Sequence, residues 1–135
     1  MKAVLLNSGQ QIACDTVLVG AGIHPQAAYL RNTGVEFMSD TSVKVDGSFK
    51  ATKDIYAAGD IATYPDLMRG GEYSRFEHWN MAIQTGAYAA LGMMGKSEPF
   101  KYVPFFWTRI WDNSISYIGQ STSWDEIYML GEINA

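Results

Sequence analysis

The 135 residues contain a single cysteine, Cys14. No intrachain disulfide and no CxxC redox pair can form, and a thiol-rich zinc site is excluded for the same reason. Long apolar runs are also missing: none approaches the roughly 20 residues that span a bilayer. The N-terminus lacks the basic-then-apolar layout of a signal peptide, so the chain reads as soluble. Positive charge is scarce, with 10 Lys and Arg against 14 Asp and Glu and a net charge of -4. Nucleic acid and anionic membrane both reward a basic surface, which argues against either as a partner. Ser, His and Asp all occur, but no GxSxG elbow does, which leaves hydrolase chemistry little support.

At 47% hydrophobic and 18% charged residues the chain is globular, and its length suits one domain or parts of two. Ala3–Asn7 and Gln11–Cys14 are apolar runs around Ser8-Gly9-Gln10 and predict a hairpin, with Cys14 an inert buried thiol. Asp15–Gly20 predicts a β-branched strand that breaks at Gly20-Ala21-Gly22, and a brief helix follows over Gln26–Asn32. Ser42–Val45 and Asp54–Ala58 predict strands on either side of the Asp46-Gly47 turn, and Leu67–Tyr73 a Gly-rich loop. Glu77–Met94 is the best helix, its apolar face formed by Trp79, Ala82, Ile83, Ala87, Ala90 and Leu91, with Gly95 as its stop. Beyond Lys96–Pro99, strands are expected at Phe105–Trp107, Ile115–Ile118 and Ile127–Leu130. A strand directly after Met1 and an end at Ala135 without a closing element suggest part of a longer enzyme.

Four constellations carry candidate chemistry. Gly20-Ala21-Gly22-Ile23-His24-Pro25 follows a strand, and glycines there permit positive φ and close backbone approach to a cofactor. It departs from GxGxxG at Pro25, and a plain tight strand exit remains the alternative. Thr52–Asp60 runs a short strand into Ala57-Ala58-Gly59-Asp60, where small residues admit a ligand and Asp60 offers an acceptor to sugar or ribityl hydroxyls. Asp60 equally suits the cap of a short helix beginning at Ile61. Glu77-His78-Trp79 opens the long helix; Glu77 suits the positive end of its dipole, Trp79 the core, and His78 a contact to a ring. Phe105-Phe106-Trp107 is either a buried strand or a planar cover for a flat cofactor. No metal site is expected.

Taken in order, Asp15–Pro25, Thr52–Ala62, Glu77–Gly86 and Val103–Thr108 resemble the C-terminal part of apoptosis-inducing-factor-like flavoproteins, relatives of the ferredoxin reductases of oxygenase systems. The resemblance covers nearly the whole chain. It implies an α/β plus α+β fold: residues 1–96 as the end of a two-dinucleotide-binding FAD/NAD(P) region, and 97–135 as part of a small β-rich C-terminal interface domain. It implies FAD and NAD(P)H as cofactors, with Gly22, Gly59, Asp60, Glu77, His78, Trp79 and Trp107 as the cofactor-binding residues. Gly22 would lie near the nicotinamide pyrophosphate, and Asp60 at the ribityl–pyrophosphate part of FAD. Glu77 and His78 would sit near the nicotinamide, with His78 and Trp79 also approaching the flavin ring and Trp107 closing over it. No side chain is expected to be catalytic in its own right, since flavin carries the hydride chemistry.

Where the family has Gly-Arg in the helix this chain has Gly86-Ala87, and the C-terminal His-Pro motif of the glutathione-reductase branch is absent. The first flavin fingerprint and the nicotinamide-binding fold lie outside the chain. The leading expectation is part of an FAD-dependent NAD(P)H oxidoreductase, cytoplasmic or mitochondrial in its parent. Hydride would pass to flavin and electrons on to an iron–sulfur protein, a quinone or another acceptor. The isolated chain is expected to be inactive and to hold FAD only weakly. The alternative is a noncatalytic interaction or dimerisation module, a homodimer through unpaired strand edges.

Overall fold

The computed structural model describes residues 2–131, so Met1 and the last four residues of the expected C-terminal domain lie outside it. The predicted hairpin forms: β1 (Ala3–Leu5) pairs antiparallel with β2 (Gln11–Ala13). Its turn is closed by Leu6 and Gln10 backbone and by Gly9 at φ 84°. Cys14 is partly exposed rather than buried. The expected strand Asp15–Gly20 is not one. It forms no ladder, and Leu18 and Val19 are 97% and 77% exposed. β-branched sequence favours the extended backbone, but a strand needs a neighbour, and none lies beside it among the described residues. The helix expected over Gln26–Asn32 is reduced to one 3-10 turn, Ala28–Leu30.

The central sheet has the order β3–β4–β5. β3 (Val43–Lys44) runs parallel to β4 (Ala62–Asp66), with Val43 opposite Ala62, and β5 (Glu72–Ser74) pairs antiparallel with β4. Asp54–Ala58, expected as a strand, contributes only the bridge between Lys50 and Tyr56. The real partner strand β4 escaped the sequence reading because it contains Pro65, and proline argues against a strand interior. It is tolerated here because β4 pairs with β3 only at Ala62 and Thr63, away from Pro65. The expected loop Leu67–Tyr73 is instead a 3-10 turn capped by Asp66, whose carboxylate accepts from the Met68 N–H, followed by β5.

The core is aromatic. Phe49, Tyr64 and Phe100 meet with ring centroids 5.0–5.3 Å apart, Phe49 and Tyr64 each edge-on to Phe100 and tilted against one another. Asp46 holds the turn that delivers Phe49, accepting from the Ser48 and Lys50 N–H groups and the Ser48 hydroxyl. The Tyr64 hydroxyl is buried without a partner among the described residues, and burial together with the Asp66 charge pushes its pKa upward.

The long helix forms as α1 (Trp79–Met93) and buries Met81, Thr85, Ala89 and Gly92. Most of the expected apolar face is turned outward instead: Trp79 is 84% and Ile83 54% exposed, while Ala82 and Leu91 are half-buried. Close approach decides the face. Gly92 lies against the Ser48 carbonyl and accepts a hydrogen bond from the Tyr56 hydroxyl at 3.2 Å, a fit that only small residues allow. Gly95, at φ 70°, ends the helix as expected. Its N–H bonds the Gly92 carbonyl and that of Lys96 the Leu91 carbonyl, which is a Schellman cap. The last sheet is the hairpin of β6 (Phe105–Ile110) and β7 (Asn113–Ile118), longer on both sides than expected. Ile127–Leu130 is no strand: it pairs with nothing described, and Leu130 is 97% exposed. Three small sheets and one long helix make the mixed α/β architecture that the sequence implied.

Candidate functional site

The N-terminal end of α1 gathers most of the candidate residues. His78 is the N-cap, in extended conformation, and no side chain caps the helix. The first N–H groups of a helix have no partner within it and carry the positive end of its dipole, so this end favours negative charge. A cleft of about 680 Å³ opens there, lined by Glu77, His78, Trp79, Asn80 and Ile83 from the helix side and Phe105, Phe106 and Trp107 from β6. Four predicted residues, Glu77, His78, Trp79 and Trp107, thus share one cavity. A second cleft of about 410 Å³ lies on the other side of Glu77 and His78, against Arg75 and Tyr117.

His78 stands between the two clefts. Its ring packs 4.3 Å from Phe106, centroid to centroid, and Phe106 in turn lies 5.1 Å from Tyr117. The Nδ1 atom is buried with no hydrogen-bond partner among the described residues. Leaving such an atom unpaired costs about 1–3 kcal/mol, which singles out His78 among the residues beside the cleft. Trp79, read as a core residue on the simpler view, is mostly exposed and stands on the cleft wall; Trp107 is 70% exposed. Broad rings flanking a cleft, an unpaired imidazole nitrogen and an uncapped helix end suit a flat heteroaromatic ring such as a flavin, which gains negative charge on reduction.

Gly59 and Asp60 reach the same end of the helix by another route. Gly59, at φ 74°, packs on Ala82, and its N–H donates to Thr85 Oγ1 at 2.9 Å. It therefore approaches α1. Asp60 does not act as a side-chain cap: Gly59–Ile61 is a 3-10 turn with Ala58 as N-cap, and the Asp60 side chain is exposed. Gly22 is the outlier. It has φ 82° but lies on the exposed 15–24 segment, lines none of the clefts described, and meets nothing within 4 Å of an added Cβ.

Arg75 ties these pieces together and was missed in the sequence. Its guanidinium donates to Asp40 Oδ2 at 2.9 Å, the Asp60 carbonyl at 3.0 Å and Glu77 Oε1 at 2.8 Å. Burial works against the Arg75 charge, but the bonds to Glu77 and Asp40 outweigh it and raise its pKa. Partial burial likewise pushes the Asp40 carboxyl up, yet the Ser42 and Arg75 donors hold it below the usual carboxylate range. A signal was there: in extended chain Arg75 and Glu77 share a face opposite Phe76, which is buried. Asn80, on the cleft wall, donates to the Tyr102 hydroxyl at 2.7 Å and had no sequence signal at all.

The family model described as pyridine nucleotide-disulphide oxidoreductase matches residues 1–86. The chain is 28% identical to apoptosis-inducing factor 3 of Homo sapiens over 134 residues, 98% of this chain and 22% of that protein. It is 33% identical to monodehydroascorbate reductase of Pisum sativum over 127 residues, 90% of this chain and 29% of that one. Among solved structures it is similar to a ferredoxin reductase from Rhodopseudomonas palustris, with a TM-score of 0.78 and 26% identity over 93% of this chain and 30% of that one. The chain spans 22–29% of the length of these curated relatives. Because the family match runs from the β1–β2 hairpin to the middle of α1, the chain belongs to the pyridine nucleotide-disulphide oxidoreductases, whose cofactors are FAD and NAD(P)H.

Proposed function

We propose that the chain forms the flavin-ring side of an FAD-dependent NAD(P)H oxidoreductase that delivers electrons to an iron–sulfur protein. The carrying observation is the uncapped α1 N-terminus, with the unpaired, buried Nδ1 of His78 set beside a cleft walled by Trp79 and Trp107. When bound, FAD supplies the hydride and electron-transfer chemistry. The chain's own residues bind and orient. His78 and the first N–H groups of α1 meet negative charge at the ring edge, and Trp79 and Trp107 shield its faces. Asp60 accepts from hydroxyls of the ribityl–pyrophosphate region, and Glu77, held by Arg75, borders the nicotinamide side. Gly22 stands nearer the nicotinamide pyrophosphate. On this reading residues 1–96 belong to the cofactor-binding region and 97–135 to an interface domain. The ferredoxin partner is favoured over a quinone by the likeness to a ferredoxin reductase.

FAD is expected to raise the thermal midpoint of the purified chain in a saturable way, because a ligand that binds only the folded state stabilises it by mass action. Binding is expected to be weak. A midpoint indifferent to millimolar FAD would falsify the proposed site.

A second reading, an interaction or dimerisation module, is favoured by one observation: the β6–β7 hairpin exposes Trp107, Trp111, Ile115 and Ile118. Light scattering separates the two. A constitutive oligomer unaffected by FAD supports the module.

A further inference from the structure

The Gly59-Asp60 dipeptide is held at both ends. The Gly59 N–H donates to Thr85 Oγ1 at 2.9 Å, and the Asp60 carbonyl accepts from Arg75 Nη1 at 3.0 Å. Thr85 is 1% exposed on the inner face of α1, and its own proton goes to the Met81 carbonyl at 2.9 Å, with the Ala82 carbonyl at 3.2 Å. A hydroxyl bonded back to its own helix is ordinary. The second bond is not: a hydroxyl has one proton and two lone pairs, and here the donor serves α1 while an acceptor serves the loop before β4. Gly59 also packs against Ala82, where an added Cβ would lie in van der Waals contact at 3.4 Å. The backbone of the dipeptide is therefore over-determined, whereas the Asp60 side chain is exposed and makes no hydrogen bond among the described residues.

We infer that Thr85 is a positioning residue, whose hydroxyl works with Arg75 to fix the Gly59-Asp60 backbone, and so the point from which the Asp60 carboxylate projects, relative to the N-terminal end of α1. The inference rests on the reading of Asp60 and His78 as flavin contacts: one meets the ribityl–pyrophosphate part, the other the ring, and Thr85 sets the spacing between them. Fixing two contacts of one ligand in advance removes the cost of ordering them on binding. Sequence inspection passes over Thr85 because it sits mid-helix and touches no part of either cleft.

The test compares Thr85→Val with Thr85→Ser in the full chain. Valine keeps the shape and removes both hydrogen bonds, and serine restores them. Amide hydrogen exchange at Gly59 and the FAD concentration at half-maximal thermal shift are read for each. Valine is expected to raise both about tenfold, as the loss of one buried hydrogen bond implies, and serine to stay within about twofold of wild type. Unchanged Gly59 exchange in the valine variant overturns the inference. So does an unchanged FAD midpoint, or a serine variant as weak as valine, which would assign the effect to packing. If the wild-type chain takes up no FAD, the proposed site falls and this inference with it. If valine prevents folding, Arg75→Gln frees the other end of the dipeptide from the surface side. Faster Gly59 exchange together with a raised FAD midpoint in that variant supports the inference, and either one unchanged overturns it.

Discussion

At Gly92 a missing Cβ sets the depth of the helix. An added one would sit 2.6 Å from the Ser48 carbonyl oxygen and 3.1 Å from Tyr56 Cε1, with backbone on one side and a packed ring on the other. Gly92→Ala is accordingly expected to destabilise the fold by about 1–3 kcal/mol, read from the urea midpoint at constant slope. Charge acts at the same scale. Asp40 and Asp46 both have folded pKa values below the ordinary carboxylate value, despite partial burial that pushes each up, because Ser42 and Arg75 donate to one, Ser48 and Lys50 to the other. The unfolded chain then binds more protons than the folded one just below about pH 4, so stability rises with pH there. The contribution is fully present above about pH 4 and is lost as pH falls through the lowered folded values. Urea midpoints measured between about pH 5 and about pH 2 are expected to fall with acid, and Asp40→Asn to flatten that slope.

The helix α1 illustrates what periodicity reads and what it misses. Its limits were legible to within two residues, because the apolar run begins after Glu77-His78 and a left-handed glycine ends it. Gly95→Ala is expected to cost about 1–2 kcal/mol, since φ 70° penalises a Cβ; thermal unfolding checks it. The buried face was not legible. Trp79 and Ile83 carry large apolar area, yet Met81, Thr85, Ala89 and Gly92 face the core, and at Gly92 the approach leaves no room for a Cβ. Trp79 is thereby left on the cleft wall. Trp79→Ala is expected to change stability by less than about 0.5 kcal/mol while weakening the FAD-dependent thermal shift. A large loss of stability without FAD would return Trp79 to the core. The strand β4 was missed for the opposite reason: Pro65 hid it, and its pairing with β3 on one side and β5 on the other is a property of the sheet.

Across the whole molecule, apolar side chains remain on the outside: Leu18 and Val19 before the central sheet, Trp107 and Trp111 on the last hairpin. Contiguous exposed apolar surface promotes association. Trp111→Glu, at a position 87% exposed, is expected to lower concentration-dependent light scattering without moving the thermal midpoint. Scattering that stays the same places any self-association elsewhere. By itself the sequence determined the family, through the string ending in Ala57-Ala58-Gly59-Asp60 and the Glu77-His78-Trp79 helix start, because such local patterns are written in consecutive residues. It also determined the first hairpin, the mixed α/β class and the ends of α1. Only the tertiary structure decided which helix face is buried, that Asp15–Gly20 has no strand beside it among the described residues, that Gly59 packs on α1, and that Arg75 joins Asp40, Asp60 and Glu77. Those outcomes depend on distances between residues far apart in the chain. A buried donor is satisfied, or a Cβ excluded, by whatever segment lies across from it, and local sequence does not name that segment.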